Sequence, residues 1–407
     1  MEEHVIYRKK APDFSEIKAI SFKGIHTITD NFFGNSPPQI FIGSKLKYPK
    51  VNVGILSPPE KVADAWLYSA EHYWAEQNID INTIVSLRSS LINARFGSTV
   101  DQARSSGKFI EIAQEIGMAK RQVDVEIELK KKITLQFDTD QITMPMGPRA
   151  PLKNARLTEN APVDTHVEKV IGDTDLKAAD ALSYLYEKAF PHSHLQQLLS
   201  IGVLGLKKNR KLVPTRWSIT AVDDTVGKQI KQHIRDCPQI DAYQLYMGNH
   251  LGNYYFALLF PDNFRYELFE YFVPGSAWNP SGVMKGATDF EDYWGRKQYA
   301  FGTAGGYYAS RIAVLEKLKS MKRQASALVI RFELPEYWAS LGVWVVRSAA
   351  RKTMASQSML FPDKETMIEY VKKVAKEQFH FDLEKTFALS KLLQSARTQR
   401  KLTHFFA

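Results

Sequence analysis

The chain has 407 residues, 44% of them hydrophobic and 24% charged. That is enough for two or three domains with a sizeable core, and it excludes a disordered or low-complexity protein. The formal charge is +10, a moderate basic excess that admits a nucleic-acid partner without requiring one. A single cysteine, Cys237, rules out disulfides within the chain and any cysteine-based zinc site. The longest apolar runs, Tyr254–Pro261 and Leu341–Val346, are far too short to span a bilayer, and Met1–His4 carries no signal-peptide pattern. The expectation is a cytoplasmic protein without a membrane partner.

In chain order, Gln39–Gly43 and Tyr48–Leu56 read as strands bracketed by Pro and Gly turn signals. Lys61 to about Gln77 reads as a helix, with Val62, Ala65, Trp66 and Ser69 on one side, and Thr99–Ala119 as another. The alternation of Val123, Val125, Ile127 and Leu129 predicts a strand. Ile133, Leu135 and Phe137 predict its hairpin partner, with Lys130–Lys132 at the bend. The lysine triplet fits a solvated hairpin end or a phosphate contact. Met144 to about Thr165 holds four prolines and reads as a long connection and domain boundary.

Helices are expected over Asp175–Ala189 and Ser193–Ile201, with a further one starting near Thr220. His192 and His194, at the start of the second, have a metal-compatible spacing but no partners nearby in sequence. Tyr243–Met247, Tyr254–Phe260 and Tyr266–Val273 read as an antiparallel meander. Pro274–Gly306 is irregular, Tyr307–Met321 helical, Ala325–Glu333 and Gly342–Ser348 strands, and Lys364–Glu377 and Leu383–Ala396 helices. Strands and helices mix without βαβ alternation, so the expected class is α+β, a mixed α/β arrangement with antiparallel sheet elements. The expected divisions are 1–150, 151–396 and a tail at 397–407.

In that tail, Leu402, Phe405 and Phe406 stand at i, i+3, i+4 and share one face of a helical turn, with Gln399 one turn upstream. The stretch resembles the PIP box, the PCNA-docking motif Gln-x-x-aliphatic-x-x-aromatic-aromatic, at every specified position. Two aromatic anchors of this kind suit a preformed apolar pocket on a partner. The alternative is a terminal turn folded back onto the protein's own core.

Further motifs run in fixed order: Val51–Gly54, Leu87–Ser90, Gly172–Ala178, Lys211–Asp224, Gly305–Tyr308 and Leu341–Arg347. Together they resemble the Nre family of archaeal DNA-repair proteins over nearly the whole chain. The resemblance implies a role in DNA repair together with the PCNA sliding clamp, reached through a C-terminal PIP box. Many relatives begin with a cysteine-rich segment. No cysteine precedes Cys237 here, so a zinc-dependent function at that end is not carried over. The resemblance assigns no catalytic residues.

From the residues themselves, Arg210 and Lys211 through Asp224 form the first candidate site. Arg216 and Trp217 suit a phosphate clamp and a stacked base, and Asp223 or Asp224 suits a metal ion such as Mg²⁺ or Mn²⁺. The competing reading makes Thr220 and Asp223 a capping box. Adjacent carboxylates also diverge by about 100° on a helix. The second candidate is Gly305 and Gly306 entering a helix with Tyr307 and Arg311, where backbone N–H groups can approach a phosphate. Trp278, Tyr293, Trp294 and Phe301, mixed with Lys285, Arg296 and Lys297, suit distorted or single-stranded DNA, or simply a core.

The leading expectation is a factor that binds damaged or branched DNA and docks on PCNA. The alternatives are a clamp-tethered DNA-processing enzyme, such as a metal-dependent nuclease or a base-processing enzyme, and a clamp scaffold without DNA affinity.

Overall fold

The computed structural model describes residues 30–105, 107–133, 144–280 and 282–398. The expected hairpin strand at 134–137 and the whole Gln399–Phe406 motif lie outside them. Among the described residues the chain is α+β, with 12 α-helices and two six-stranded mixed sheets. It divides into two compact units. The first runs to Val226 and includes Ala339–Gly342; the second holds Gly227–Trp338 and the chain from Val343 onward. The division expected at 150 and 151 falls inside a strand of the first unit.

The first unit's sheet is ordered β1-β5-β6-β4-β3-β2, from β1 (Asn31–Ser36), β2 (Ile40–Gly43), β3 (Lys50–Ser57), β4 (Ile92–Thr99), β5 (Val123–Leu129) and β6 (Arg149–Leu157). Only β4 and β6 run parallel, over Asn93–Arg95 and Arg149–Pro151. The proline-rich stretch read as a connection therefore carries β6, a central strand. Pro151 stands where its pairing with β4 stops: it has no N–H to offer, and its carbonyl accepts from the Lys130 N–H at 2.8 Å. β5 buries Val123, Val125, Ile127 and Leu129 as its alternation predicts.

The two long helices expected early in the chain are each broken. Lys61–Gln77 holds a 3₁₀ turn, Ala65–Ser69, and α1 (Glu71–Glu76). α2 (Ile81–Ser89) follows. Thr99–Ala119 holds the 3₁₀ turn Val100–Arg104 and α3 (Lys108–Met118), separated by Gly107. α4 (Thr165–Gly172), α5 (Ala178–Glu187) and α6 (His192–Ser200) complete the helices before α7 (Thr215–Ile234), which begins in the first unit and continues into the second.

His194, in the first turn of α6, stacks on Phe190 at 5.7 Å between ring centroids. Burial pushes its pKa down to about 4, against the opposing pull of Asp164. The unfolded chain, with an ordinary imidazole near pH ~6.5, takes up a proton before the folded one does. His194 thus supports the fold above that pH and loses its contribution as the pH falls towards 4. A His194→Gln variant is expected to show a flatter loss of stability between these pH values, read by urea denaturation across the range; an unchanged slope refutes the assignment.

The second unit's sheet is ordered β10-β9-β11-β8-β7-β12, from β7 (Tyr243–His250), β8 (Asn253–Phe260), β9 (Tyr266–Phe272), β10 (Lys285–Glu291), β11 (Ser326–Glu333) and β12 (Met359–Phe361). β7 and β8 form a two-residue hairpin at Leu251-Gly252, both at positive φ, as the right-handed strand twist favours. The meander stops there. β11 lies between β8 and β9, antiparallel to the first and parallel to the second. Every residue of β11 is buried, so this strand needs a partner on each edge, a demand that local pattern does not reveal.

α8 (Ala304–Met321) ends where expected but starts three residues before Tyr307, so Gly305 and Gly306 are inside it. The strand expected over Gly342–Ser348 is instead the start of α9 (Val343–Ala355). Buried Val345, Val346, Ala349, Ala350 and Met354 follow a helical spacing there, and a short apolar run alone does not separate helix from strand. α10 (Lys364–Phe379), α11 (Glu384–Leu389) and α12 (Lys391–Thr398) end the described chain. The last two were expected as one helix. They part at Ser390, whose hydroxyl donates to Glu267 Oε2 at 2.5 Å, while the N–H groups of Lys391 and Leu392 donate to the same carboxylate at 3.0 Å each. Met367, Val371, Leu383, Phe387 and Leu392 from these helices join Phe256, Leu258 and Ile330 of the sheet in one core.

Candidate nucleic-acid interface

Three segments of the first unit meet at one end of its sheet. Val100 N–H donates to the Pro49 carbonyl at 3.0 Å, and the Val100 carbonyl accepts from Leu212 N–H at 2.8 Å. The β2–β3 connection, the 3₁₀ turn Val100–Arg104 and the approach to α7 are thereby tied together. A third bond, Ile42 N–H to Thr215 Oγ1 at 2.9 Å, fixes the first residue of α7 against β2.

α7 begins one turn before the expected Thr220. Pro214 is the start signal that prevails, its carbonyl taking the N–H groups of Trp217 at 2.8 Å and Ser218 at 3.1 Å. Thr220 and Asp223 are therefore inside the helix and form no capping box. Arg216 and Trp217 stand in the first turn, and both are exposed. Trp217 meets Tyr48 of the connection, ring centroids 6.1 Å apart, and the two keep 44% and 55% of their surface in solvent. Two large rings left this open at the same place are not core, and their faces are accessible to solvent.

Cations flank both rings along the chain. Lys45, Lys47 and Lys50 are exposed on the connection; Lys207, Lys208, Lys211 and Arg216 are exposed on the other side. Asp101 pairs with Lys211 at 3.7 Å and with Arg104 at 2.9 Å, and Arg104 also donates to the Lys208 carbonyl. Arg210 has a different task. Its Nε donates to the Gly205 carbonyl at 2.9 Å and one terminal nitrogen to Ile171 at 2.7 Å, closing a loop of its own unit.

Asp223 does not face this surface. It is fully buried, with Oδ1 4.0 Å from His192 Nε2, while Asp224 is half-buried. Among the described residues no three His, Cys, Asp or Glu side chains gather into a metal site.

The second candidate lies in the other unit and is internal. Tyr307 is fully buried and Arg311 keeps only 2% of its surface exposed, its guanidinium 2.9 Å from Glu291. A side chain on Gly305 would come within 2.8 Å of Val343, and one on Gly306 would run into the Glu270 carboxylate. Asp289 Oδ2 accepts from the Thr303 N–H at 2.8 Å and from its hydroxyl at 3.0 Å. Two of the protein's own carboxylates thus occupy the place at the start of α8 where a phosphate was expected. In the aromatic segment Trp294 and Phe301 are exposed, but Arg296 is committed to Asp289 at 2.9 Å.

Sequence reading singled out Trp217 and missed Tyr48. The available signal is the run of Lys45, Lys47 and Lys50 around Tyr48 between two strands, although Tyr48 itself reads as a strand start.

Comparison with known proteins places the chain. Residues 7–279 match the family described as "Archaeal Nre, N-terminal", and residues 291–405 match "Archaeal Nre, C-terminal". The protein belongs to the archaeal Nre family. The resemblance read from Lys211–Asp224 and the companion motifs is borne out. This Nre protein is 38% identical to "DNA repair protein NreA" of Haloferax volcanii over 85% of its own length and 82% of that relative. It is 35% identical to "DNA repair protein NreB" of Archaeoglobus fulgidus over 93% of both chains, and 39% identical to that organism's "DNA repair protein NreA" over 80% of its own length and 81% of the relative's. No solved structure matches this Nre chain. No described helix of it is long and apolar enough to cross a membrane.

Proposed function

We propose that this Nre protein acts in DNA repair, binds DNA through the Tyr48–Trp217 face of its first unit, and is brought to the PCNA clamp by the Gln399, Leu402, Phe405, Phe406 motif. The observation that carries the DNA reading is the exposed ring pair among Lys47, Lys50, Lys211 and Arg216. Rings take the faces of unpaired bases irrespective of sequence, and the cations follow the phosphates. The names of the relatives point to DNA as the polyanion. The overall charge of +10 has the matching sign.

Each removed stacking ring is expected to cost about tenfold or more in affinity for DNA with unpaired bases. Trp217→Ala and Tyr48→Ala are the variants to compare with wild type by fluorescence anisotropy at one fixed salt concentration. Both side chains are exposed, so the fold is expected to survive. Wild-type affinity in both variants would remove the platform from the proposal.

A further inference from the structure

We infer that the groove beside β4 and the start of α3 binds one unpaired nucleotide of a DNA strand, its base against Phe96 and Phe109 and its phosphate at Lys50. This inference rests on the DNA-binding reading above and names a second contact point for the same ligand.

The groove exists because two parallel strands part. β4 pairs with β6 only through Asn93–Arg95, although β4 continues to Thr99 against β3. Past Arg95 its outer half faces the Gly107–Ile110 start of α3 instead, across a cavity of ≈ 520 Å³. That volume suits a small ligand of roughly nucleotide size, within the ~300–1,000 Å³ typical of such sites. Phe96 and Phe109 line it with ring centroids 5.4 Å apart and planes at 51°. Both are only half-buried, so each keeps ring surface available for stacking.

Charge selects the occupant. Lys50 and Lys108 both line the cavity, and among the described residues no carboxylate does. Lys108 Nζ donates to Asn154 Oδ1 at 2.7 Å. Lys50 is exposed, and among the described residues it has no acidic partner. A cavity with paired rings, two ammonium groups and the hydroxyls of Ser98 and Thr99 fits an aromatic base carrying a phosphate, and is mismatched to an acidic peptide, which offers no ring to stack.

Position links the groove to the platform. Leu46 lines the groove and Tyr48 belongs to the platform, two residues away on the same connection, so their Cα atoms are at most about 7 Å apart. A strand stacked at Tyr48 and Trp217 is therefore within reach of Lys50 and the groove. In a duplex the base would first have to leave the stack. The groove therefore favours single-stranded or locally unpaired DNA.

The test uses the full chain and a labelled oligothymidylate, with a duplex of equal length as the comparison. Lys50→Ala and Phe109→Ala are each expected to weaken single-strand binding about tenfold, with Phe109→Trp close to wild type and duplex binding unchanged by Phe109→Ala. Lys50→Ala is also expected to lower the slope of log affinity against log salt by about 0.7, a change that a merely structural role would not produce. If the Phe109→Ala protein fails to fold, Phe109→Leu, which keeps apolar volume and removes the ring, decides in its place, with the same tenfold loss expected. Wild-type affinity and salt slope in the groove variants, with binding still lost in Trp217→Ala, would overturn the groove and leave the platform standing. Absence of DNA binding by the wild-type protein would overturn both.

Discussion

Replacing Phe405 and Phe406 together by alanine is expected to abolish binding to PCNA and to leave the fold and the DNA affinity unchanged. Interface aromatics that fill a pocket are worth about 2–4 kcal/mol each, so their joint loss lowers affinity by a hundredfold at the least. The expectation rests on the sequence of the tail, which lies outside the described residues. The structure contributes the chain leading to it. α12 is held to the body by the Glu267 carboxylate at its first turn and by Arg265, which donates to Ser395 Oγ at 2.6 Å. On the proposed reading the docking motif follows directly on the last residue of α12, Thr398. Docking on the clamp would make DNA binding intramolecular, with an effective concentration in about the millimolar range where the geometry lets both contacts form. A weak DNA affinity would then suffice at the clamp. Titration calorimetry of the purified clamp with wild type and double variant decides; equal affinities would end the recruitment proposal.

Arg331→Met is expected to be the most destabilising single change in the second unit, by about 3–5 kcal/mol. Strand register places its row: Arg331 stands beside Glu270 of β9 and Tyr255 of β8. The guanidinium reaches Glu270 Oε1 at 2.6 Å, Glu333 Oε2 at 2.9 Å and Asn253 Oδ1 at 2.9 Å from Nε. All four side chains are buried. Burial works against the Arg331 charge, but Glu270 leads the interactions that outweigh it and raise its pKa. Burial raises the Glu270 and Glu333 carboxyls, and Arg331 pulls against that rise. Without Arg331, two buried carboxylates lose their counter-charge.

The sign with pH follows. Both carboxyls already have folded-state pKa values above the ordinary one, and loss of Arg331 raises them further. The deficit of the variant is therefore largest near neutral pH. It shrinks on acidification, as the folded state takes up protons ahead of the unfolded chain. Adding Glu270→Gln and Glu333→Gln is expected to return much of the lost stability at pH 7. Urea denaturation midpoints at pH 7 and pH 5 give the comparison. A pH-independent loss, or one below about 1 kcal/mol, would show that the network contributes little.

Much of this was legible from residue order. The alternation in β5, the span of α10 and the mixed α+β class came from local periodicity, which is a property of neighbours in sequence. The second unit's network was not legible. Gly305, Gly306, Tyr307 and Arg311 have the composition of a phosphate loop, and the same residue types serve equally to bring a helix onto a buried carboxylate. Asp223 looked like a cap or a metal ligand because His192, 4.0 Å from its carboxylate in the fold, lies thirty-one positions away.

The sequence by itself determined membership in the Nre family, the alternation of elements and the apolar-aromatic motif at its end. The tertiary structure decided that β11 divides β8 from β9, that Arg311 faces inward, and that Tyr48 meets Trp217 in the open. The difference has a physical origin. Backbone periodicity is set within a few residues, whereas a strand's second edge, a buried charge's counter-charge and a ring's neighbour are supplied by segments far along the chain.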